Sequence, residues 1–122
     1  MTPAARSSIG AVARETGVSE DTLRYYEREG LVGPIERDAA GHRRYDESDR
    51  AWIATVTCMR DAGLGITDLR RFTALVRGEG SQQDRSAFLH ERREELVRQS
   101  RALATAIAVL DDKIAYFSEH RP

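Results

Sequence analysis

Leu89, Leu96, Leu103, Leu110 and Phe117 recur at intervals of seven residues, and the positions four beyond the first four of them are Arg93, Ser100, Ile107 and Ile114. That is a heptad seam, fully apolar only in its second half, and it predicts one long helix over residues 85–119. A helix of about 35 residues is roughly 50 Å long at 1.5 Å per residue. A small domain has no surface long enough to cover such a stripe, so the helix needs a partner. A second copy of the same helix is the expected one, because two-fold homodimers are the commonest soluble assembly. The other candidate is the chain's own N-terminal part, onto which the stripe would fold back. Leu89, Leu96, Leu103, Ile107, Leu110, Ile114 and Phe117 are therefore the expected dimerisation residues.

The whole chain has only 122 residues, 32% of them charged. That is one domain's worth of sequence, with limited capacity to bury a core and no room for a multidomain enzyme with a deep cleft. No Gly-rich phosphate loop, Ser/His/Asp constellation or carboxylate pair in an apolar setting is present, so no enzyme is expected. Cys58 is the only cysteine, and His42, His90 and His120 are scattered, which excludes an intramolecular disulfide and a multi-thiolate metal site within one subunit. No cofactor and no metal are expected. No apolar run approaches the roughly 18 residues of a membrane span, and the start lacks a signal peptide, so a cytoplasmic protein with no membrane partner is expected.

Upstream of the long helix the pattern is a succession of short ones. Ser7 or Ser8 can cap a first helix with Ile9, Val12 and Ala13 on its apolar face, ending near Thr16-Gly17. Ser19 can cap a second, with Glu20 and Asp21 in its first turn, Leu23 and Tyr26 on one face, and Gly30 just past its end. Two short helices around a tight turn make a helix-turn-helix. Between Leu31 and Tyr45 the helical period vanishes, and Ala40-Gly41 suits the tip of a small β-wing. Asp46 and Asp49 resemble a capping box for a third helix carrying Trp52, Val56 and Met59, broken by Gly63 and Gly65. Thr67 is the expected cap of a fourth, with Leu69, Phe72, Leu75 and Val76 inward. Residues 7–77 thus form one domain, and the polar stretch 78–84 reads as a linker.

The string from Ile9 to Ser19, followed by Thr22-Leu23-Arg24-Tyr25-Tyr26-Glu27, Gly30-Leu31 and Arg43-Arg44-Tyr45, resembles the winged-helix DNA-binding domain of the MerR family of bacterial transcription regulators. The resemblance implies a mainly α fold: an N-terminal winged helix-turn-helix with a small β-wing, then a long C-terminal helix that pairs as an antiparallel coiled coil. Cys58-Met59-Arg60-Asp61-Ala62-Gly63 and the ending from Leu110 to Phe117 are similar to the aldehyde- and thiol-stress-responsive NmlR/AdhR-like branch, where a cysteine at the Cys58 position is implicated in sensing. By resemblance the partners are double-stranded promoter DNA, a second copy of the chain and RNA polymerase. The dimer would distort over-long spacer DNA to control transcription. Two alternatives stand beside this: the same fold answering another effector with Cys58 as an inert packing residue, or an architectural, excisionase-like DNA-binding module.

The second helix of such a motif presents its N-terminal residues to base edges. Ser19, Thr22, Arg24 and Tyr25 are the expected contacts there, whereas Tyr26 shares the inward face with Leu23 and packs. The wing supplies Arg43 and Arg44 as phosphate clamps and Tyr45 as a hydroxyl contact, and Arg14 of the first helix is a further candidate. Glu20 and Asp21 would repel phosphate, so either they point away from it or affinity rests on other groups. The net charge of −1 leaves little bulk attraction. Residues 1–45 hold seven arginines and seven acidic residues, so positive charge has to be sorted by face. Eighteen of the nineteen basic residues are Arg, a bias that suits bidentate phosphate contacts and that a genome rich in G and C also produces. Cys58 lies one turn from Ala51, Ala54, Thr55 and Ala62, a small-residue face that predicts close approach of another helix.

Overall fold

The computed structural model describes residues 6–78 and 80–119. They divide into an N-terminal unit and a C-terminal unit that begins at Gly80. The first contains α1 (Ile9–Thr16), α2 (Glu20–Arg28), β1 (Glu36–Arg37), β2 (Arg43–Arg44), α3 (Glu47–Asp61) and α4 (Ile66–Thr73), closed by one π-helical turn at Ala74–Gly78. The second is a single helix, α5 (Gln82–Glu119).

Local chemistry sets most of these boundaries. Ser8 Oγ accepts from Ala11 N and starts α1, and Ser19 Oγ accepts from Thr22 N and starts α2. An N-cap hydroxyl satisfies one of the orphan amides of a helix's first turn. Between the two helices, Gly17 sits at φ 75, a left-handed conformation that costs glycine least, and its amide donates to Ala13 O. At α3 the capping box is complete: Asp46 accepts from Asp49 N at 2.8 Å, and Asp49 accepts from Asp46 N at 3.0 Å. The bond from Asp49 N is the main cause holding the Asp46 carboxyl below its ordinary range, while burial raises that of Asp49.

Two boundaries differ from the sequence reading. Thr67 does not cap α4. Gly65 occupies the cap position with no side-chain bond, because Ile66, packed against the core, is already the first helical residue. Leu75 and Val76 then fall beyond α4 in the π-helical turn and are only partly buried. Helix α5 begins at Gln82, with Ser81 Oγ accepting from Asp84 N at 3.1 Å, so the last three residues of the expected 78–84 linker are helical.

The wing is a two-stranded antiparallel ribbon in which Glu36 pairs with Arg44 and Arg37 with Arg43. A further antiparallel bridge joins Ser7 to Tyr45 through reciprocal 2.8 Å bonds, tying the ribbon to the entry of α1. At its base the chain makes a cis peptide at Gly33-Pro34. Gly33 has φ 89, and a Cβ there would lie 2.9 Å from Ile35 N, so no larger residue fits.

The core of this unit is Val12, Val18, Leu23, Tyr26, Leu31, Val32, Ile35, Tyr45, Ile53, Val56 and Leu69, with Ile9, Ala13, Trp52 and Met59 packed against it. Trp52 stacks on Phe72 with ring centroids 5.7 Å apart, its indole N–H donates to Leu31 O at 2.7 Å, and the Arg77 guanidinium lies over its ring, 5.1 Å from the centroid. Two links fasten the second helix of the motif to this core. Tyr26 is buried as expected, and its hydroxyl accepts from Arg60 of α3 at 3.0 Å. Glu27 holds the wing, as described below.

Candidate nucleic-acid interface

Arg24 of α2 and Arg37, Arg43 and Arg44 of the wing line one cleft of about 260 Å³, together with Ser8, Ile9, Gly41 and His42. The sequence separates these residues by up to 36 positions. The fold gathers them because β2 returns the chain to α1 through the Ser7–Tyr45 bridge. A concave surface with four guanidinium groups is an electrostatic footprint for phosphate.

Each of these arginines has an internal acceptor. Arg24 donates to Asp21 at 3.0 Å and to Glu20 at 3.4 Å within α2. Arg44 donates to Asp38 at 3.1 Å, Arg43 to Glu27 at 2.7 Å, and Arg37 to Gly41 O at 3.0 Å. Glu20 and Asp21, which the sequence sets against phosphate, are thus partners of Arg24, three and four residues before it on the same helix.

The two wing carboxylates differ in setting. The Glu27–Arg43 pair is mostly enclosed, with side chains 19% and 18% exposed. Glu27 Oε2 also accepts from Ile35 N at 3.2 Å, so this one carboxylate joins α2 to the base and the second strand of the wing. Burial pushes its pKa up, but the bonds from Arg43 and Ile35 outweigh that and leave it below its ordinary 4.5. Asp38 organises the wing tip: Oδ1 accepts from Ala40 N and His42 N, and Oδ2 from Arg44. The His42 amide is the main reason its carboxyl lies below the usual range.

The other expected contacts divide clearly. Thr22 is partly exposed and shares a 2.9 Å hydroxyl contact with Ser19 Oγ, so both groups already serve the helix start. Tyr25 is exposed, with Arg28 over its ring. Arg14 is exposed on α1. Tyr45 requires a correction. Its side chain is completely buried and its hydroxyl has no hydrogen-bond partner, so it is a core residue and not a surface donor to phosphate. Burial also raises its pKa. Glu27 is the residue the sequence did not single out, because its partners lie 8 and 16 positions away.

Cys58 is exposed. It lines an open cleft of about 460 Å³ with Glu15, Thr16, Arg50, Ala54, Thr57 and Asp61. Arg60 is not among the residues that line it and donates to the Tyr26 hydroxyl and to Asp61. The cation in the cleft is Arg50, which also donates to Ser7 Oγ and Tyr45 O. Among the described residues no group of three or more His, Cys, Asp or Glu could hold a metal ion.

A helix-turn-helix whose second helix shares a basic cleft with a β-wing defines a winged-helix regulatory protein. The family model described as "MerR HTH family regulatory protein" matches residues 7–75, and the chain belongs to that family. It is similar to the HTH-type transcriptional regulator AdhR of Bacillus subtilis, 42% identical over 91 residues that span 74% of this chain and 65% of AdhR. Among solved structures it resembles HiNmlR, a MerR family regulator lacking the sensor domain and bound to promoter DNA. The TM-score is 0.84 at 25% identity, covering 93% of this chain and 91% of that one. A MerR family regulator from Listeria monocytogenes aligns with TM-score 0.83 and 38% identity, covering 93% and 87%. These relatives are transcription regulators and not enzymes.

Proposed function

We propose that the chain acts as a homodimeric, promoter-binding transcription regulator in the cytoplasm that grips DNA with α2 and the wing. The observation that carries this reading is the shared cleft of Arg24, Arg37, Arg43 and Arg44. Arg24 and Tyr25 of α2 would face the major groove, with Thr22 and Ser19 at the helix start, while Arg44 and Arg43 flank it on phosphates and Arg14 adds a weaker contact. The promoter DNA bound to HiNmlR supports the choice of ligand.

Exposed apolar residues on α5 support the dimer: Leu103, Ile107, Leu110, Ile114 and Phe117 are 58–66% exposed. With Leu89 and Leu96 these form the seam for an antiparallel partner helix, residues 85–119 acting as the dimerisation element and 7–77 as the DNA-binding domain. In this reading two copies bind two half-sites and distort the DNA between them so that RNA polymerase can engage the promoter. Bends of that kind cost on the order of 1–6 kcal/mol, offset by phosphate contacts at both ends. An electrophile or aldehyde adduct on Cys58 would bias the dimer between two geometries, which is a population shift in a two-state element. Its exposure in an open cleft supports access by a small reagent.

Selection of duplexes from a random-sequence pool by the full chain tests the DNA reading. Enrichment of a two-fold symmetric site is expected, and Arg24→Ala should relax its sequence preference while Arg44→Ala weakens binding to all duplexes. Equal binding by both variants and the parent would refute the contact assignment. For Cys58, Cys58→Ser should bind the selected site normally and lose the transcriptional response to an aldehyde. An unchanged response refutes the trigger.

A further inference from the structure

The arginines offered to DNA are already occupied, and the manner of their occupation differs. Arg43 is locked through its Nε: the partner Glu27 is enclosed and also holds Ile35 N, so breaking that bond would undo the base of the wing, and Arg43 meets phosphate through its outer nitrogens with the bond intact. Arg24 and Arg44 are held differently. Asp21 is 97% exposed and touches Arg24 at the start of α2 beside Glu20, and the Arg44–Asp38 pair is partly exposed, at 40% and 29%, against 18% and 19% for Arg43–Glu27. An exposed ion pair of this kind is weak and exchangeable. Each of these carboxylates takes up one guanidinium nitrogen, Nη1 of Arg24 for Asp21 and Nε of Arg44 for Asp38, and so competes with a phosphate for that donor.

We infer that Asp21 and Asp38 are specificity-determining residues that act as internal phosphate mimics, holding Arg24 and Arg44 until a duplex supplies enough contacts to displace them. Their effect is to lower affinity for DNA of arbitrary sequence. At a matching site, base contacts from α2 add to the exchange and drive it; at a random site the exchange stands alone. Asp21 and Asp38 are two of the seven acidic residues that offset seven arginines in residues 1–45. The inference rests on the proposed reading of α2 and the wing as the DNA-contacting face.

The test is binding of the full-length chain to a fluorescent 30-base-pair duplex of random sequence, followed by anisotropy at two salt concentrations. Asp38→Asn retains an oxygen for the amides of Ala40 and His42, so the wing tip keeps its turn while the charge on Arg44 is lost. Asp21→Asn alters a side chain in solvent and is the second, structurally independent variant. Each should raise affinity about two- to five-fold, the range for one exposed pair, and more at low salt, where screening is least. The decisive measurement is the double-mutant cycle: Asp38→Asn should have no effect when Arg44 is already Ala, and Asp21→Asn none when Arg24 is Ala. A gain that persists without the arginine, or an equal gain in Asp61→Asn, would mean that only overall charge matters and would overturn the inference. No gain in either variant would overturn it too. If Arg24→Ala and Arg44→Ala leave duplex binding unchanged, the DNA-contact assignment itself fails. If they weaken it while the Asp variants change nothing, only the mimicry fails.

Discussion

The N-terminal unit and α5 solve the problem of apolar surface in opposite ways. In residues 6–78 the large apolar side chains find one another: Val12, Leu23, Leu31, Tyr45, Ile53 and Val56 are completely buried. In the second half of α5 five large apolar residues of the seam, and Val109 and Tyr116 beside them, lie more than half exposed. The first unit encloses its own core. The second is a single helix, about 57 Å long at 1.5 Å per residue, that buries Phe88 near its start and leaves its seam wet from Leu103 onward. The wet apolar stripe from Leu103 to Phe117 marks an interaction surface, which is why the two units should respond differently to the same kind of damage.

Replacing Leu110 with Asp is expected to have the largest effect. A charge at the seam should shift the dimer to monomer by more than a hundredfold in dissociation constant, read by sedimentation equilibrium, while the thermal unfolding of the N-terminal unit is unaltered. A variant that remains dimeric would break the contrast by showing that α5 is not the seam. Ile53→Ala in the first unit should do the reverse, costing about 2–5 kcal/mol by denaturant titration with the dimer interface intact.

Glu27→Gln should cost about 1.5–3 kcal/mol at neutral pH by losing a charge-assisted bond to Arg43. The pH dependence follows from its lowered pKa. A carboxylate lower in the folded than in the unfolded chain stabilises fully above its ordinary 4.5, and that contribution fades as pH falls through the lowered value. Parent and variant should therefore converge in stability in acid and diverge above about pH 5, and a gap that persists in acid would refute the clasp. The smallest effect is expected for Ser19→Ala, about 1 kcal/mol for loss of an N-cap, confined to the N-terminal unit.

How much of this was legible depends on how local its cause is. Ser8, Ser19, the Asp46–Asp49 box and Gly17 act within four residues of themselves, and they end or begin helices where the sequence places them. The pairing of Arg24 with Glu20 and Asp21 had the spacing to be foreseen, but the same two acids read equally well as helix-dipole partners that repel phosphate. Tyr45 misled because it follows two arginines. A strand alternates its faces, and the residue after the exposed pair member turns inward, where the Ser7 bridge seals it. Glu27 was invisible for a different reason: its role needs Ile35 and Arg43, which only the turn through the wing brings back to α2. The start of α4 at Ile66 was likewise decided by packing and not by the hydroxyl at Thr67.

The stacked indole of Trp52 has an optical consequence. It is the only tryptophan in the chain, its N–H is bound to Leu31 O, and its ring is in contact with Phe72 and the Arg77 guanidinium. Its emission should therefore be shifted to the blue and should report the melting of the N-terminal unit alone. Far-ultraviolet dichroism, by contrast, is weighted toward the 38 residues of α5. Recording both signals in one titration would show, without any label, whether the two units lose their structure together or in turn.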